Sequence, residues 1–284
     1  MGIESFIQER WSGNIQSRLN DALVFGAVCN SDFVGDVLGS DRVRILMVNS
    51  NTTLAAYTPN STTLTYSAID GAPIHLNIDR RYTANFKLDD VDAGQIVGDV
   101  VGPATNEMGF AIGNDMDQFI AAKYAEAMAV SGLGTAGTPI NVTSLNIIEY
   151  LGLVSQRLDE ANVPQEGRWM VINPWFKHKI ELAEITLNTD NSNTLANGFM
   201  GRALGFGFYV SNNVSEATPS THTGARIMAG YSGTMTLAQQ IAKVEQVRDI
   251  QDFATYYRAL NVYGVKVVRP NALACLRATY TAEP

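Results

Sequence analysis

One run of six residues matches a nucleotide-binding pattern, Gly132-Leu-Gly-Thr-Ala-Gly137. In such G-x-G-x-x-G loops the glycines let the backbone approach a pyrophosphate at the start of a helix. The pattern works only where a strand precedes the glycines and a helix follows them directly. Here a predicted helix precedes the glycines and Thr138-Pro139 follows, so we interpret the segment as a flexible linker.

Histidine and cysteine are the residue types most often used to hold zinc. The three histidines are His75, His178 and His222, and the two cysteines are Cys29 and Cys275. They share no metal-ligand spacing with one another. We therefore expect none of them to bind a metal or to act in catalysis.

Ser232 and a short acidic run are the remaining chemical candidates. Ser232 lies in Gly230-Tyr-Ser-Gly-Thr, which is not the nucleophile-elbow pattern, so a hydrolase using Ser232 and a histidine is the weakest alternative. Asp89, Asp90 and Asp92 offer the oxygen ligands that Ca²⁺ prefers. Such a run is more typical of a solvated turn or a helix start. The sequence predicts no enzyme, no cofactor and no metal site.

The chain is poor in charge and acidic. Charged residues make up 17% of the 284 residues, and the formal net charge is −8. A charge-poor surface indicates that other subunits cover part of it, since no apolar run approaches the ~20 residues of a membrane span. The acidic balance argues against tight nucleic-acid binding, which needs a basic stripe, but not against enclosing nucleic acid. The N-terminus lacks signal-peptide features, and two cysteines are compatible with a reducing compartment.

The first 88 residues lack the apolar content for a core of their own. Residues 4–24 have helical spacing of apolar side chains and predict a short amphipathic helix. Strands are predicted at Val43–Val48 and within Leu76–Leu88. The polar stretch Asn49–Pro73 between them is unusually long for a connection in a compact domain, so we predict a projecting hairpin.

A long helix is predicted from about Ala104 to Ser131. Pro103 suits its first turn and Gly132 its end. We expect Gly109 and Gly113 to weaken or bend it. Its apolar stripe consists of Met108, Ile112, Met116, Phe119, Ile120, Tyr124 and Met128.

Helices and strands alternate after residue 140. Ser144 is the predicted cap of a helix to about Asn162, whose buried face is Ile147, Ile148, Leu151, Val154 and Leu158. The further predictions are strands at Arg168–Ile172, Phe206–Val210 and Ala225–Ala229, and helices from Pro174 to about Ile185 and over Thr236–Ala242. β-branched and aromatic residues then predict closing strands at Tyr256–Tyr263, Val265–Val268 and Leu273–Thr279.

This order of elements resembles the tailed-phage major capsid protein family, which has the Hong Kong 97-type shell fold. Three segments carry the resemblance: Arg168–Pro174, the stretch from Met228 to Glu245, and Val262-Tyr-Gly-Val-Lys-Val-Val-Arg-Pro-Asn-Ala-Leu273. The resemblance implies an α+β fold with an N-terminal arm, an extended β-hairpin loop, a long spine helix, a peripheral domain and an inserted axial domain.

The implied boundaries follow the predicted elements. They are an arm over 1–40, a hairpin loop over 41–88, the peripheral domain with its spine helix over 89–140, the axial domain over 141–250, and closing strands of the peripheral domain over 251–284.

The resemblance also implies a function and a set of partners. The chain would be the coat protein of a tailed double-stranded DNA bacteriophage, forming hexamers and pentamers of an icosahedral shell in the host cytoplasm. The implied partners are copies of itself, a portal, and scaffolding or decoration proteins, around DNA that is not bound sequence-specifically. A shell protein of a bacterial encapsulin-type nanocompartment is the alternative.

The arm and hairpin are where we expect subunits to touch. The predicted contact residues are Trp11, Arg44, Met47, Leu54, Tyr57, Pro59, Tyr66 and Arg80. Some members of the family join a hairpin lysine to a neighbour's asparagine, but residues 41–86 contain no lysine. We therefore expect a shell held by non-covalent contacts.

Overall fold

The computed structural model describes residues 23–31, 42–46, 73–91, 100–128, 132–183, 199–250 and 252–283. The helices in this part of the chain are α1 (Phe25–Val28), α2 (Val101–Ala121), α3 (Ile147–Glu160) and α4 (Pro174–Leu182). The strands are β1 (Arg42–Leu46), β2 (Pro73–Asn77), β3 (Arg80–Asp89), β4 (Ile140–Val142), β5 (Arg168–Ile172), β6 (Phe199–Ala203), β7 (Phe206–Val210), β8 (Ala225–Tyr231), β9 (Met235–Arg248), β10 (Ala254–Val267) and β11 (Ala274–Tyr280).

These strands form three sheets. The largest has the order β4-β11-β8-β5-β7-β6, with parallel pairing at β4–β11 and β5–β7 and antiparallel pairing elsewhere. A second, antiparallel sheet has the order β3-β10-β9, and β1 pairs with β2 in a two-stranded ribbon. The described chain is therefore a mixture of helix and sheet.

Helix α2 packs against the three-stranded sheet. Its buried stripe includes Met108, Ile112, Met116 and Ile120, as the helical spacing predicted, and these side chains share a core with the inner face of β10. The helix begins at Val101, three residues before the predicted start, and continues from Ala122 to Glu126 as a tighter 3₁₀ helix. It runs without interruption through Gly109 and Gly113, and both glycines are buried.

Helices α3 and α4 share the second core with the six-stranded sheet. Ile147, Leu151, Val154 and Leu158 are fully buried there. The prediction that Ile148 belongs to this face is wrong: its side chain is 48% exposed. A helix advances by about 100° per residue, so position 148 lies beside the buried stripe.

Ser144 does not cap α3, which is a second correction. The helix begins at Ile147, after Asn146. The Ser144 hydroxyl instead donates a hydrogen bond to Glu283 Oε2 at 2.7 Å. Glu283 also pairs with the buried ammonium of Lys179, which donates to the Thr281 carbonyl at 2.7 Å. These contacts hold the end of the chain against α3 and α4.

The helix predicted over Thr236–Ala242 is wrong, because this segment is part of strand β9. Met235, next to its start, pairs with Val267, and the pairing with β10 continues to Arg248. The sequence from Leu237 onward is a good helix former in isolation, but pairing along a 14-residue partner strand overrides that local preference. Strand β10 is also continuous through Gly264, where the sequence predicted a break.

The hairpin region agrees in part with its prediction. Strand β1 covers Arg42–Leu46 of the described residues, and the predicted strand Leu76–Leu88 is two strands, β2 and β3, with Ile78 and Asp79 between them. The predicted projecting segment, Asn49–Pro73, lies outside the described residues except for Pro73. So does the predicted helix near residues 4–24, apart from its last two positions.

The glycine-rich segment is not a free linker. Leu133 is buried, and its carbonyl accepts a hydrogen bond from the Arg277 N–H at 2.8 Å. Gly134 has φ +80°, and a Cβ there would lie 2.7 Å from the Arg277 carbonyl oxygen. Only glycine fits this approach to β11. The segment leads into strand β4 rather than a helix, so it lacks the dinucleotide-binding arrangement.

A buried carboxylate fixes α1 to the last turns of α2. Asp117 is fully buried, and its two oxygens accept hydrogen bonds from the N–H groups of Val24, Phe25 and Gly26 at 2.9, 3.1 and 3.3 Å. Beyond α1, Asn30 pairs with Thr236 of β9. Burial raises the pKa of Asp117 to about 6, although the three donors oppose that rise.

Asp117 should therefore make stability depend on pH. A carboxyl whose pKa is higher in the folded state contributes stability below its unfolded pKa, near 4, and loses it as the pH rises through about 6. We expect wild type to gain stability relative to Asp117→Asn as the pH falls from 7 to 4.5. Thermal unfolding of both proteins at each pH measures this, and an identical difference at both pH values would contradict it.

Candidate interaction surface

The most exposed apolar side chains of the described chain include three that lie at the same end of the three-stranded sheet. Ile250 is 100% exposed, Phe253 is 79% exposed and Val91 is 64% exposed. Ile250 and Phe253 lie in the turn between β9 and β10, and Val91 follows the end of β3. We call these three residues the apolar tip. Grouped apolar side chains in water are typical of a surface that contacts another molecule.

Hydrogen bonds and ion pairs join the strand ends beside the apolar tip. The Asp90 N–H donates to the Phe253 carbonyl at 2.9 Å, which ties the end of β3 to the β9–β10 turn. Lys87 Nζ lies 2.8 Å from Asp252 Oδ2, and the Arg248 guanidinium binds both oxygens of Asp90. The two basic side chains beside the tip, Lys87 and Arg248, are therefore already paired within the subunit, so apolar surface is what the tip offers to a partner.

Two of the predicted cation ligands, Asp89 and Asp90, form hydrogen bonds or ion pairs beside the apolar tip. Asp90 pairs with Arg248, and Asp89 Oδ1 accepts the Val91 N–H at 2.9 Å. Asp92 lies outside the described residues. No cluster of three metal-ligating side chains occurs among the residues that the structure describes.

The predicted contact residues Arg44 and Arg80 have different surroundings. Arg44 lies opposite His75 on the exposed face of the β1–β2 ribbon, where Arg42 is exposed as well. This face is basic. The Arg80 guanidinium lies 4.4 Å from the ring centre of Phe119 and donates to Tyr82 Oη at 2.9 Å, so it is held within its own chain. The other predicted contacts, Trp11, Met47, Leu54, Tyr57, Pro59 and Tyr66, lie outside the described residues.

Ser232 and the histidines lie on separate elements. Ser232 is in the β8–β9 turn, where its N–H donates to the Gly167 carbonyl. His75 is on β2 and His178 on α4, whereas the His222 ring Nδ1 lies 3.2 Å from Glu216 Oε2. The described hydrogen bonds therefore do not join Ser232 to a histidine base.

A family model places the chain among known proteins. The phage capsid protein family matches residues 81–276, well over half of the chain, and the chain belongs to this family. No curated protein matches it significantly. No described helix has the length and apolar character needed to span a membrane.

Solved structures agree with the family. A chain from Mycobacterium phage Che8 has a TM-score of 0.70 and 25% identity over 91% of both chains. A chain from the capsid of Cyanophage P-SCSP1u has a TM-score of 0.64 and 20% identity over 86% of this chain and 85% of that one. A virus-like particle from Pyrococcus furiosus shares the fold, with a TM-score of 0.57 and 11% identity over 95% of this chain and 99% of that one. The resemblance seen in the sequence is confirmed: this is a major capsid protein, with a structural role.

Proposed function

We propose that this chain forms the icosahedral shell of a tailed double-stranded DNA bacteriophage by assembling into hexamers and pentamers. The observation that carries the proposal is the apolar tip, where Ile250 and Phe253 are exposed beside contacts that tie the end of β3 to the β9–β10 turn, in a protein of the capsid family. A protein that worked alone would gain nothing from holding these side chains in water. Burying each one against a neighbour contributes about 1.5–3 kcal/mol.

The two bodies of the fold suit different places in such a shell. We assign the body of α2 and the three-stranded sheet to the peripheral domain, with α2 as the spine helix, and the six-stranded sheet with α3 and α4 to the axial domain. Strand pairing supports placing the end of the axial domain at the β8–β9 turn rather than at residue 250, because β9 pairs with β10 of the peripheral domain. It also supports placing β11 in the axial domain, because β11 pairs with β8. Residues 1–40 and 41–88 are proposed as the arm and the hairpin loop.

The proposed partners follow from assembly. They are copies of the same chain, a portal, and scaffolding or decoration proteins, with assembly in the host cytoplasm. A net charge of −8 suits a wall that encloses DNA without binding its sequence. The encapsulin-type nanocompartment remains the second candidate, because the Pyrococcus furiosus particle shares the fold. Nuclease-resistant double-stranded DNA inside purified particles supports the phage shell, and protein cargo without DNA supports the nanocompartment.

The shell should be held together without covalent bonds between subunits. Residues 41–86 contain no lysine, and the first one, Lys87, is paired with Asp252. Boiling mature particles in detergent should therefore release one band at the subunit mass of 30.8 kDa. A ladder of multimers under reducing conditions would show that subunits are joined covalently.

A further inference from the structure

Two arginines lie side by side on the six-stranded sheet. Arg226 of β8 is directly opposite Arg277 of β11 in the antiparallel pairing of these strands. Side chains alternate between the two faces of a strand, so both arginines lie on the face opposite α3 and α4. Their neighbours in sequence are buried in the core with those helices: Ala225, Ile227, Leu276 and Ala278. Like charges directly opposite each other destabilise a sheet.

The groups around the two arginines hold them in place. The Arg226 guanidinium lies 4.4 Å from the ring centre of Tyr124, and the Arg277 guanidinium lies 6.0 Å from the same centre. Arg226 Nη1 donates to Ser215 Oγ at 2.7 Å, and the Arg277 guanidinium donates to the Cys275 sulfur. One aromatic ring thus collects two cations, and both side chains remain partly exposed to solvent.

None of these neighbours neutralises the positive charge. Tyr124 and Ser215 are uncharged side chains near neutral pH. Burial raises the pKa of Cys275 to about 11, although Arg277 and Arg226 oppose that rise, so near pH 7 this residue is a neutral thiol.

Carboxylates are also missing from the described surroundings of this pair. Arg168, Arg248 and Arg258 each form an ion pair with an aspartate or glutamate. Among the residues that the structure describes, no carboxylate pairs with Arg226 or Arg277. A guanidinium is always charged and carries five N–H donors, and the described contacts use few of them. The arrangement therefore calls for an anion that both arginines can bind.

We propose that Arg226 and Arg277 together bind a phosphate group with three free oxygens. One guanidinium occupies both oxygens of a carboxylate, whereas a phosphate group has enough oxygens to accept hydrogen bonds from two guanidiniums at once. The Ser215 hydroxyl accepts from Arg226, so its own hydrogen remains for the phosphate group. The group is supplied either by inorganic phosphate or by a nucleoside monophosphate.

Thermal unfolding of the unassembled full-length subunit tests this site, whether or not shells form. A ligand that binds only the folded state raises the melting temperature in proportion to its occupancy. At constant ionic strength in a chloride buffer, inorganic phosphate at millimolar concentration should raise the melting temperature, and propanoate should not. Adenosine monophosphate in a parallel titration distinguishes the sources: tighter binding than inorganic phosphate identifies a nucleotide, and equal or weaker binding identifies the free ion.

Replacing one arginine should remove most of the affinity. Arg277→Gln should weaken phosphate binding at least about tenfold, because the charged hydrogen bonds of one guanidinium are lost. The matched control is Arg269→Gln, at an exposed arginine outside the pair, which should leave binding unchanged. If Arg277→Gln does not fold, Arg226→Gln provides the same test, and the comparison with propanoate needs only the wild-type protein.

Three results would overturn the proposal. The first is an unchanged melting temperature with both inorganic phosphate and adenosine monophosphate. The second is an equal response to propanoate, or a phosphate response that survives both Arg277→Gln and Arg226→Gln. The third is a DNA duplex that binds through the two arginines in fluorescence anisotropy while inorganic phosphate does not, because the group bound would then be a phosphodiester.

Discussion

Replacing both Ile250 and Phe253 by serine should abolish shell formation while the subunit stays folded. Ile250 is 100% exposed and Phe253 is 79% exposed in the subunit, so their loss removes little internal packing. If each is buried between subunits, the double change costs about 3–6 kcal/mol per contact, which weakens that contact more than 100-fold. A shell is the sum of many such contacts, so its assembly should fail.

Size-exclusion chromatography and thermal unfolding together measure this effect. The double variant should elute as subunits or small oligomers with an unchanged melting temperature. The control is Leu145→Ser, which removes an apolar side chain that is 80% exposed at the other body of the fold. Normal particles from the double variant would show that the apolar tip is not a subunit contact.

Gly264→Ala should destabilise the subunit itself. A Cβ at Gly264 would lie 2.2 Å from the Asn77 carbonyl oxygen and 3.1 Å from Ile78 Cα. Both obstacles are backbone, so no side-chain rotation relieves the clash. Gly264 lies opposite Ala238 in the sheet, and these two small residues let the β1–β2 ribbon pack closely. We expect a loss of about 2–4 kcal/mol.

Thermal unfolding should show this loss as a melting temperature lower by about 5–10 °C. The matched control is Gly152→Ala in α3, where a new Cβ meets nothing within 4 Å. This change should stabilise by about 0.5–1 kcal/mol, because alanine is the better helix former. Equal melting temperatures for wild type and Gly264→Ala would contradict the close approach of the ribbon to β10.

The sequence predicted the parts of the fold whose signal is local. Strands Arg168–Ile172 and Phe206–Val210 occur at the predicted residues, since each is a short apolar run bounded by turn residues. The stripe of α2 from Met108 to Ile120 was also readable from its spacing. The family resemblance rested on the order of such elements, which is why it survived errors at single positions.

The errors arose where distant contacts decide the outcome. Residues 236–242 have helix-forming composition, but their pairing with β10 makes them a strand. Ser144 is of a residue type that often caps helices, yet its hydroxyl donates a hydrogen bond to Glu283, which is distant in the sequence. The segment from Gly132 to Gly137 has the composition of a flexible linker, but a backbone hydrogen bond to β11 holds it in place. No local pattern contains this information.

The apolar tip was missed for a similar reason. Ile250 and Phe253 stand in a short, mostly polar turn, and their types alone do not distinguish an exposed pair from a buried one. A usable signal was present: both are large apolar residues inside the turn between two long strands. Val91 joins them only because β3 pairs with β10. The contact predictions were placed instead on the arm and hairpin, where six of eight remain predictions outside the described residues.

Electron microscopy of the full-length protein, purified alone at high concentration, tests the central claim most directly. Assembly through surfaces such as the apolar tip predicts closed shells, or rings of five or six subunits where a scaffold is needed for closure. The same preparation of the Ile250→Ser, Phe253→Ser double variant should show neither. A wild-type protein that stays strictly monomeric under these conditions, with a normal cooperative unfolding transition, would contradict the claim that this chain is a self-assembling shell protein.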